Sequence, residues 1–151
     1  MKSVIALASG APDDRIALGC AGDIAMKEAG HVEVLPAFDD PAADLIYYGA
    51  TLSRVEAIAR ERLVEAERAA QGRIETMARE VATERGRGWA DCARGISVAS
   101  RSLAPAVALA EAALLADLVV VSGAALRGST SLSNLFAETL LTTRSPVLVA
   151  K

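Results

Sequence analysis

The residues of this chain whose types and spacing could do chemistry are concentrated between Ser122 and Ser131, in the run SGAALRGSTS. Gly123 and Gly128 stand among small and hydroxyl-bearing residues, and Arg127, Gly128, Ser129, Thr130 and Ser131 form a basic, hydroxyl-rich turn just ahead of a helix-length segment. Backbone amides at a helix N-terminus, hydroxyls and a guanidinium together suit a phosphate or sulfate group. The same residues also fit a structural role, in which Ser131 or Ser133 caps the helix and Arg127 is solvated. Ser9 and Gly10, which close the first apolar run, are the other candidates, because a parallel sheet binds ligands at the carboxyl ends of its strands.

Other reactive side chains point to less. His31 is the only histidine and follows a helix-ending glycine, so a helix-terminal surface role is expected of it. No Ser/His/Asp arrangement can be assembled around it, no His/Cys cluster has metal spacing, and neither a catalytic residue nor a metal site is expected. Asp39 and Asp40 end the second strand near the ligand edge, where they either contact a polar ligand or cation or belong to a solvated loop. Cys20 and Cys92 lie far apart and read as free thiols of a reducing cytoplasm. Asp117 is expected to end the helix before it, and Trp89 to pack or lie on the surface.

The elements that must position these residues follow from hydrophobic pattern. The chain has 151 residues, about one domain's worth. Its composition is 52% hydrophobic but only 3% aromatic, which requires a core of Ala, Val, Leu and Ile and favours helices on a sheet over a β-sandwich. The net charge of −3 gives no reason to expect nucleic acid or an anionic membrane. Leu103 to Val121 is apolar enough to suggest a membrane span, but Pro105, Glu111 and Asp117 make a helix followed by a buried strand the better reading.

Ser3 to Ala8 is a strand. A helix then starts at Pro12-Asp13-Asp14, whose carboxylates offset the dipole, and runs to about Ala29 with Ile16, Ala17, Cys20, Ala21 and Ile24 inward, until Gly30 stops it. Val32 to Phe38 is the second strand. Ser53, with Glu56 completing a capping box, opens a long helix whose apolar stripe is Val55, Ala59, Leu63, Ala66, Ala70, Ile74, Met77 and Val81; Glu56/Arg60 and Glu75/Arg79 pair outside, and Gly72 marks a kink or break. It ends near Gly86 to Gly88. A third strand lies within Asp91 to Ala99, a helix spans Leu103 to Leu115, and strands at Leu118 to Val121 and Val147 to Val149 flank the last helix. Alternation of this kind describes an α/β domain: an open, five-stranded, parallel, doubly wound sheet of Rossmann type. The stretch from 39 to 52, with Leu45, Ile46, Tyr47 and Tyr48, reads as a packed surface loop or an oligomer contact.

These residues carry a resemblance. The closing block ADLVVVSG…SPVLVAK is similar to the signature of the universal stress protein family, and KSVIALASG, the helix beginning PDD and VEVLPAF follow that family's order and spacing. The resemblance implies an adenine nucleotide alpha hydrolase-like fold over residues 1–151, cytoplasmic, dimeric and connected with stress. It also implies a place to look for ATP: a first-strand Asp followed by Gly, then Gly-x2-Gly-x9-Gly-Ser/Thr after the fourth strand. This chain departs from both parts. Ala8 stands where the acid is expected; counting from Gly123 reaches Leu126, then Phe136 and Ala137, and counting from Ser122 reaches Ala125, then Leu135 and Phe136. No ordinary ATP site and no cofactor are therefore expected.

Val147, Leu148 and Val149 should form a sheet edge, and an apolar edge with free backbone groups invites a partner. In the resembled family this strand commonly mediates dimerisation, so a homodimer, or a second domain in tandem, is expected across it. The reading at this point is a non-enzymatic stress-response module acting through dimerisation and an unidentified protein partner. The competing reading is a nucleotide or phosphate sensor using Ser122 to Ser131, with weak hydrolysis.

Overall fold

The computed structural model describes residues 3–38, 53–89, 94–99, 105–128, 130–143 and 145–151. Five strands, β1 (Ser3–Ala8), β2 (His31–Pro36), β3 (Ile96–Val98), β4 (Leu118–Ser122) and β5 (Val147–Ala150), form one all-parallel sheet in the order β3-β2-β1-β4-β5. Around it run α1 (Asp14–Lys27), α2 (Ser53–Glu84), α3 (Pro105–Ala113), α4 (Gly123–Gly128) and α5 (Thr130–Thr142). This is the doubly wound α/β architecture that the alternating pattern predicts.

β1 explains the layering. Its residues are apolar without alternation, as a strand covered on both faces must be. Val4, Ala6 and Ala8 pack with Ala17, Leu18 and Ala21 of α1 and Ala70, Ile74 and Ala78 of α2, while Ile5 and Leu7 join Leu109 and Ala113 of α3 and Leu132 and Leu135 of α5 on the opposite face. Val4 pairs with Val32 of β2 and with Leu118 of β4, so β1 is central, and strand order reverses between β1 and β4. Ligands of such sheets collect at this reversal.

Several elements differ from the sequence reading, each for a local reason. The buried face of α1 is Asp14, Ala17, Leu18, Gly19, Ala21, Gly22 and Ala25, whereas Ile16 is 40% exposed and Cys20 and Ile24 are half-buried. Small side chains bring α1 close to the sheet, and the larger aliphatics flank the contact. Among the described side chains of the α2 stripe, Ala70, Ile74 and Val81 are buried, Met77 is half-buried and Ala66 is exposed, while the side chains of residues 53–60 and 63, including the capping box and Glu56/Arg60, lie outside the described ones. The helix continues through Gly72 without a break. Glu75 accepts from Gln71 at 3.0 Å, and Arg79 lies over the Trp89 ring, 5.0 Å from its centroid, so the expected Glu75/Arg79 pair gives way to a cation–π contact.

Asp117 follows the end of α3 and ties β4 to β1: its backbone N–H donates to Ser3 O at 2.9 Å and its Oδ2 accepts from Ser3 N at 3.1 Å. His31 opens β2, with Nε2 2.9 Å from Ser97 Oγ of β3. The 39–52 segment, with Asp39 and Asp40, and Cys92 fall outside the described residues.

The stop of α1 is also one residue earlier than expected. Ala29, not Gly30, takes the left-handed conformation (φ 51°), and Gly30 N donates to Ala25 O at 2.8 Å to close the last turn. A Cβ in that region costs about 1–2 kcal/mol. Ala29→Gly should therefore raise the free energy of unfolding by about 1 kcal/mol, read from urea denaturation; an unchanged or lower midpoint would contradict this cap.

Candidate functional site

The strand reversal brings Ser9 and Gly10, after β1, next to Ser122 and Gly123, at the end of β4. Their surroundings differ from a ligand loop. β4 passes directly into α4, so Gly123 to Gly128 are helical where an open glycine loop was expected. Ser122 is buried, and its Oγ lies 3.4 Å from Ala125 N, near the start of that helix. A Cβ on Gly123 would lie 3.1 Å from Val149 Cγ1 and 3.3 Å from Ala150 O, so the residue is small because β5 crosses close to it. Arg127 and Gly128 are exposed. Ser129 is outside the described residues, as are the side chains of Thr130 and Ser131, although both positions belong to α5. Ser133 Oγ donates to Leu126 O, linking α5 back to α4.

The loop after β1 holds the residue that sequence reasoning missed. Asp14 is fully buried (0% exposed), and its Oδ2 accepts from Ser9 N at 2.7 Å, Gly10 N at 2.7 Å, Ala11 N at 3.0 Å and Ser9 Oγ at 3.1 Å. Local chain geometry makes this possible. Gly10 is left-handed (φ 86°), and the tight bonds Asp14 N to Ala11 O (3.1 Å) and Arg15 N to Pro12 O (3.2 Å) turn the first residue of α1 back over the loop. Asp13, read with Asp14 as a dipole-compensating pair, is exposed and makes no cap bond. Ser9, rather than the buried Ala8, directly precedes the left-handed Gly10.

Charge at Asp14 is set by opposing causes. Burial pushes its pKa up from the ordinary carboxylate value, and the bonds from Ser9, Gly10 and Ala11 pull against that shift. Oδ1 of the same carboxylate is buried and has no hydrogen-bond partner among the described residues.

α2 closes the loop from outside. A Cβ on Gly10 would meet Ala70 Cβ and Ala70 O at 3.2 Å, and Arg73 Nε donates to Gly10 O at 3.1 Å. Beside this contact lies a cavity of about 800 Å³ whose wall includes Gly10, Pro12, Arg15, Arg73, Thr76 and Glu80. Arg15 bridges Glu80 at 2.8 Å and also pairs with Glu84. A second cavity, about 490 Å³, lies beside α1 and takes in Cys20, Asp23, Lys27, Arg85 and Lys151. Burial, then Asp23, push the Cys20 thiol up, against a smaller opposite pull from Arg85. Among the described residues no three His, Cys, Asp or Glu side chains are grouped to hold a metal ion, and no helix is long and apolar enough to cross a membrane.

No protein-family model and no curated protein matches the chain. Solved structures do. UspA from Lactobacillus plantarum superposes with a TM-score of 0.59 at 15% identity, over 99% of this chain and 97% of its own. A universal stress protein family member from Burkholderia pseudomallei gives 0.58 at 21% identity, over 98% and 94%. A universal stress protein in complex with cAMP gives 0.55 at 20%, over 99% and 96%. The chain has the universal stress protein fold. Within that fold, Asp14 fills the β1 loop with a side chain of the chain's own.

Asp14→Ala would leave four donors, three of them backbone amides, without their acceptor and should cost about 3 kcal/mol, while Asp14→Asn, whose carbonyl oxygen still accepts, costs less. The raised pKa fixes the sign of a pH effect. Between the unfolded value and the higher folded one the native state binds more protons, so Asp14's contribution is present below the unfolded value and is lost as pH rises through the folded one. Relative to Asp14→Asn, wild-type stability should rise as pH falls from neutral towards about 4; a difference that is flat or falls would contradict the burial.

Proposed function

We propose that this chain is a universal stress protein-like module that acts by associating through β5 and by contact with a protein partner, without ordinary ATP binding and without an enzymatic reaction. The observation that carries this reading is the exposed apolar edge. β5 is the last strand of the sheet, paired only with β4, and Leu148 and Val149 remain 36% and 38% exposed in the isolated chain. A strand with one unpaired edge and such side chains is a template for a second one, and the partner chosen here is a second copy or a tandem domain. Weak furnishing of the ligand edge supports the rest: helix α4 replaces a glycine loop, and the amides after β1 already have an acceptor.

The competing reading, a nucleotide or phosphate sensor, draws on one neighbour of the same fold being a complex with cAMP and on the exposure of Arg127 at the end of α4. Calorimetry with ATP, ADP, AMP and cAMP separates the two. Only weak, non-stoichiometric heats are expected, and tight binding abolished by Arg127→Ala would reverse the assignment. Light scattering tests association. The wild type should sediment and scatter as a dimer at micromolar concentration, whereas Leu148→Lys with Val149→Lys should be monomeric; a wild-type monomer throughout that range would reject the β5 interface.

A further inference from the structure

We propose that the protein partner, on whose existence this rests, docks on the leucine-bearing ends of α3 and α5 and presents a basic amphipathic helix to them: apolar side chains along one stripe, lysines or arginines beside it. Association through β5 is not needed for this contact.

The two helices form the layer over one face of the sheet, where Leu109 and Ala113 of α3 share a core with Leu132 and Leu135 of α5. They end side by side. α3 leads into β4 and α5 into β5, which are paired neighbours, and Ser145 Oγ lies 2.5 Å from Ala113 O and 3.2 Å from Ala116 O, joining the segment after α5 to the end of α3. At this shared end stand Leu114 and Leu115, just past α3, and Leu140 and Leu141, in the last turn of α5, all between 54% and 86% exposed. Single exposed leucines are ordinary. Four together leave on the order of 500 Å² of apolar surface in water, a size that marks an interaction site and most of what one side of a stable interface buries.

Charge decides among the occupants. Neither α3 nor α5 contains a lysine or arginine, although the chain has 16, and neither last turn is basic. The carbonyl end of a helix carries partial negative charge, so two such ends lie beside the leucines without a cation of their own to offset them. Glu111 and Asp117, the exposed charges described next to Leu114 and Leu115, are acidic as well. A second copy laid on this face would bring carboxylates and carbonyl ends against their own kind, and an anionic bilayer would be repelled. A basic amphipathic helix meets both needs, covering the leucines with its apolar stripe and the acidic surroundings with its flanks.

The probe is a synthetic helix of about 18 residues with leucines along one stripe and lysines flanking them; the control carries glutamate for each lysine. Titrated into the full chain in calorimetry, the lysine form should bind with a Kd on the order of 10 µM, and the glutamate form at least about tenfold more weakly. Shifts in ¹⁵N spectra should centre on Leu114, Leu115, Leu140 and Leu141. Leu114→Lys with Leu141→Lys, folded by circular dichroism, should weaken the lysine form at least about tenfold and leave the light-scattering mass of the protein unchanged; Leu115→Lys alone should act in the same direction. No saturable binding, equal binding of the two peptides, or shifts centred elsewhere would overturn the assignment. So would a lower mass for the double variant, which makes a second copy the occupant, or anionic vesicles that bind the wild type and not the variant, which makes it a lipid surface. A monomeric wild type would reject β5 and leave the peptide result standing, and an absent peptide signal would leave the β5 result standing.

Discussion

A single buried carboxylate organises the ligand edge of this protein. When β1 ends, three amides leave the sheet's hydrogen-bond ladder together, and buried donors without acceptors are costly. Asp14 meets them from the first residue of α1, so the direction in which α1 departs is coupled to the satisfaction of the loop. Gly10 and Arg73 then bring α2 onto the outer side of the same turn. Strand end, two helices and one cavity wall thus depend on one side chain. The same contact bears on ligand binding, because amides that already have an acceptor are not free to bind another.

Alanine and glycine set the rest of the architecture. With 3% aromatic residues, helices approach the sheet until backbone and small side chains touch. Apart from Asp14, the buried face of α1 is built from Ala, Gly and one Leu, and Gly123 lets β4 turn into α4 against β5. One consequence is that glycines beside the strand ends serve packing. A glycine-bearing stretch read as a phosphate loop is here the first turns of a helix.

The fold was legible in the sequence because its strands are apolar on both faces and its helices carry a 3.6-residue period. β1, β4 and β5, the central ladder and one edge, sit within a residue of where β-branched runs place them. Individual side chains were harder to read. Pro12-Asp13-Asp14 reads equally as two exposed charges or as one exposed and one buried, and only the turn made by left-handed Gly10 chooses between them. Ser9 with Gly10, followed by an acid five residues on, is the signal that would have found the site. The stripe on α1 failed for a related reason: residue size suggested Ile16 and Ile24 as core, but close approach selected the small residues beside them.

The central claim is that the Asp14 carboxylate, and nothing from outside, holds the β1 loop. Its most direct test is site-resolved NMR of the wild type, following the Asp14 carboxyl carbon and the amides of Ser9, Gly10 and Ala11 through an acid titration. Asp14 should titrate above the ordinary aspartate value, with all three amides moving at its midpoint. An Asp14 that titrates as an exposed aspartate while those amides stay still would contradict the account.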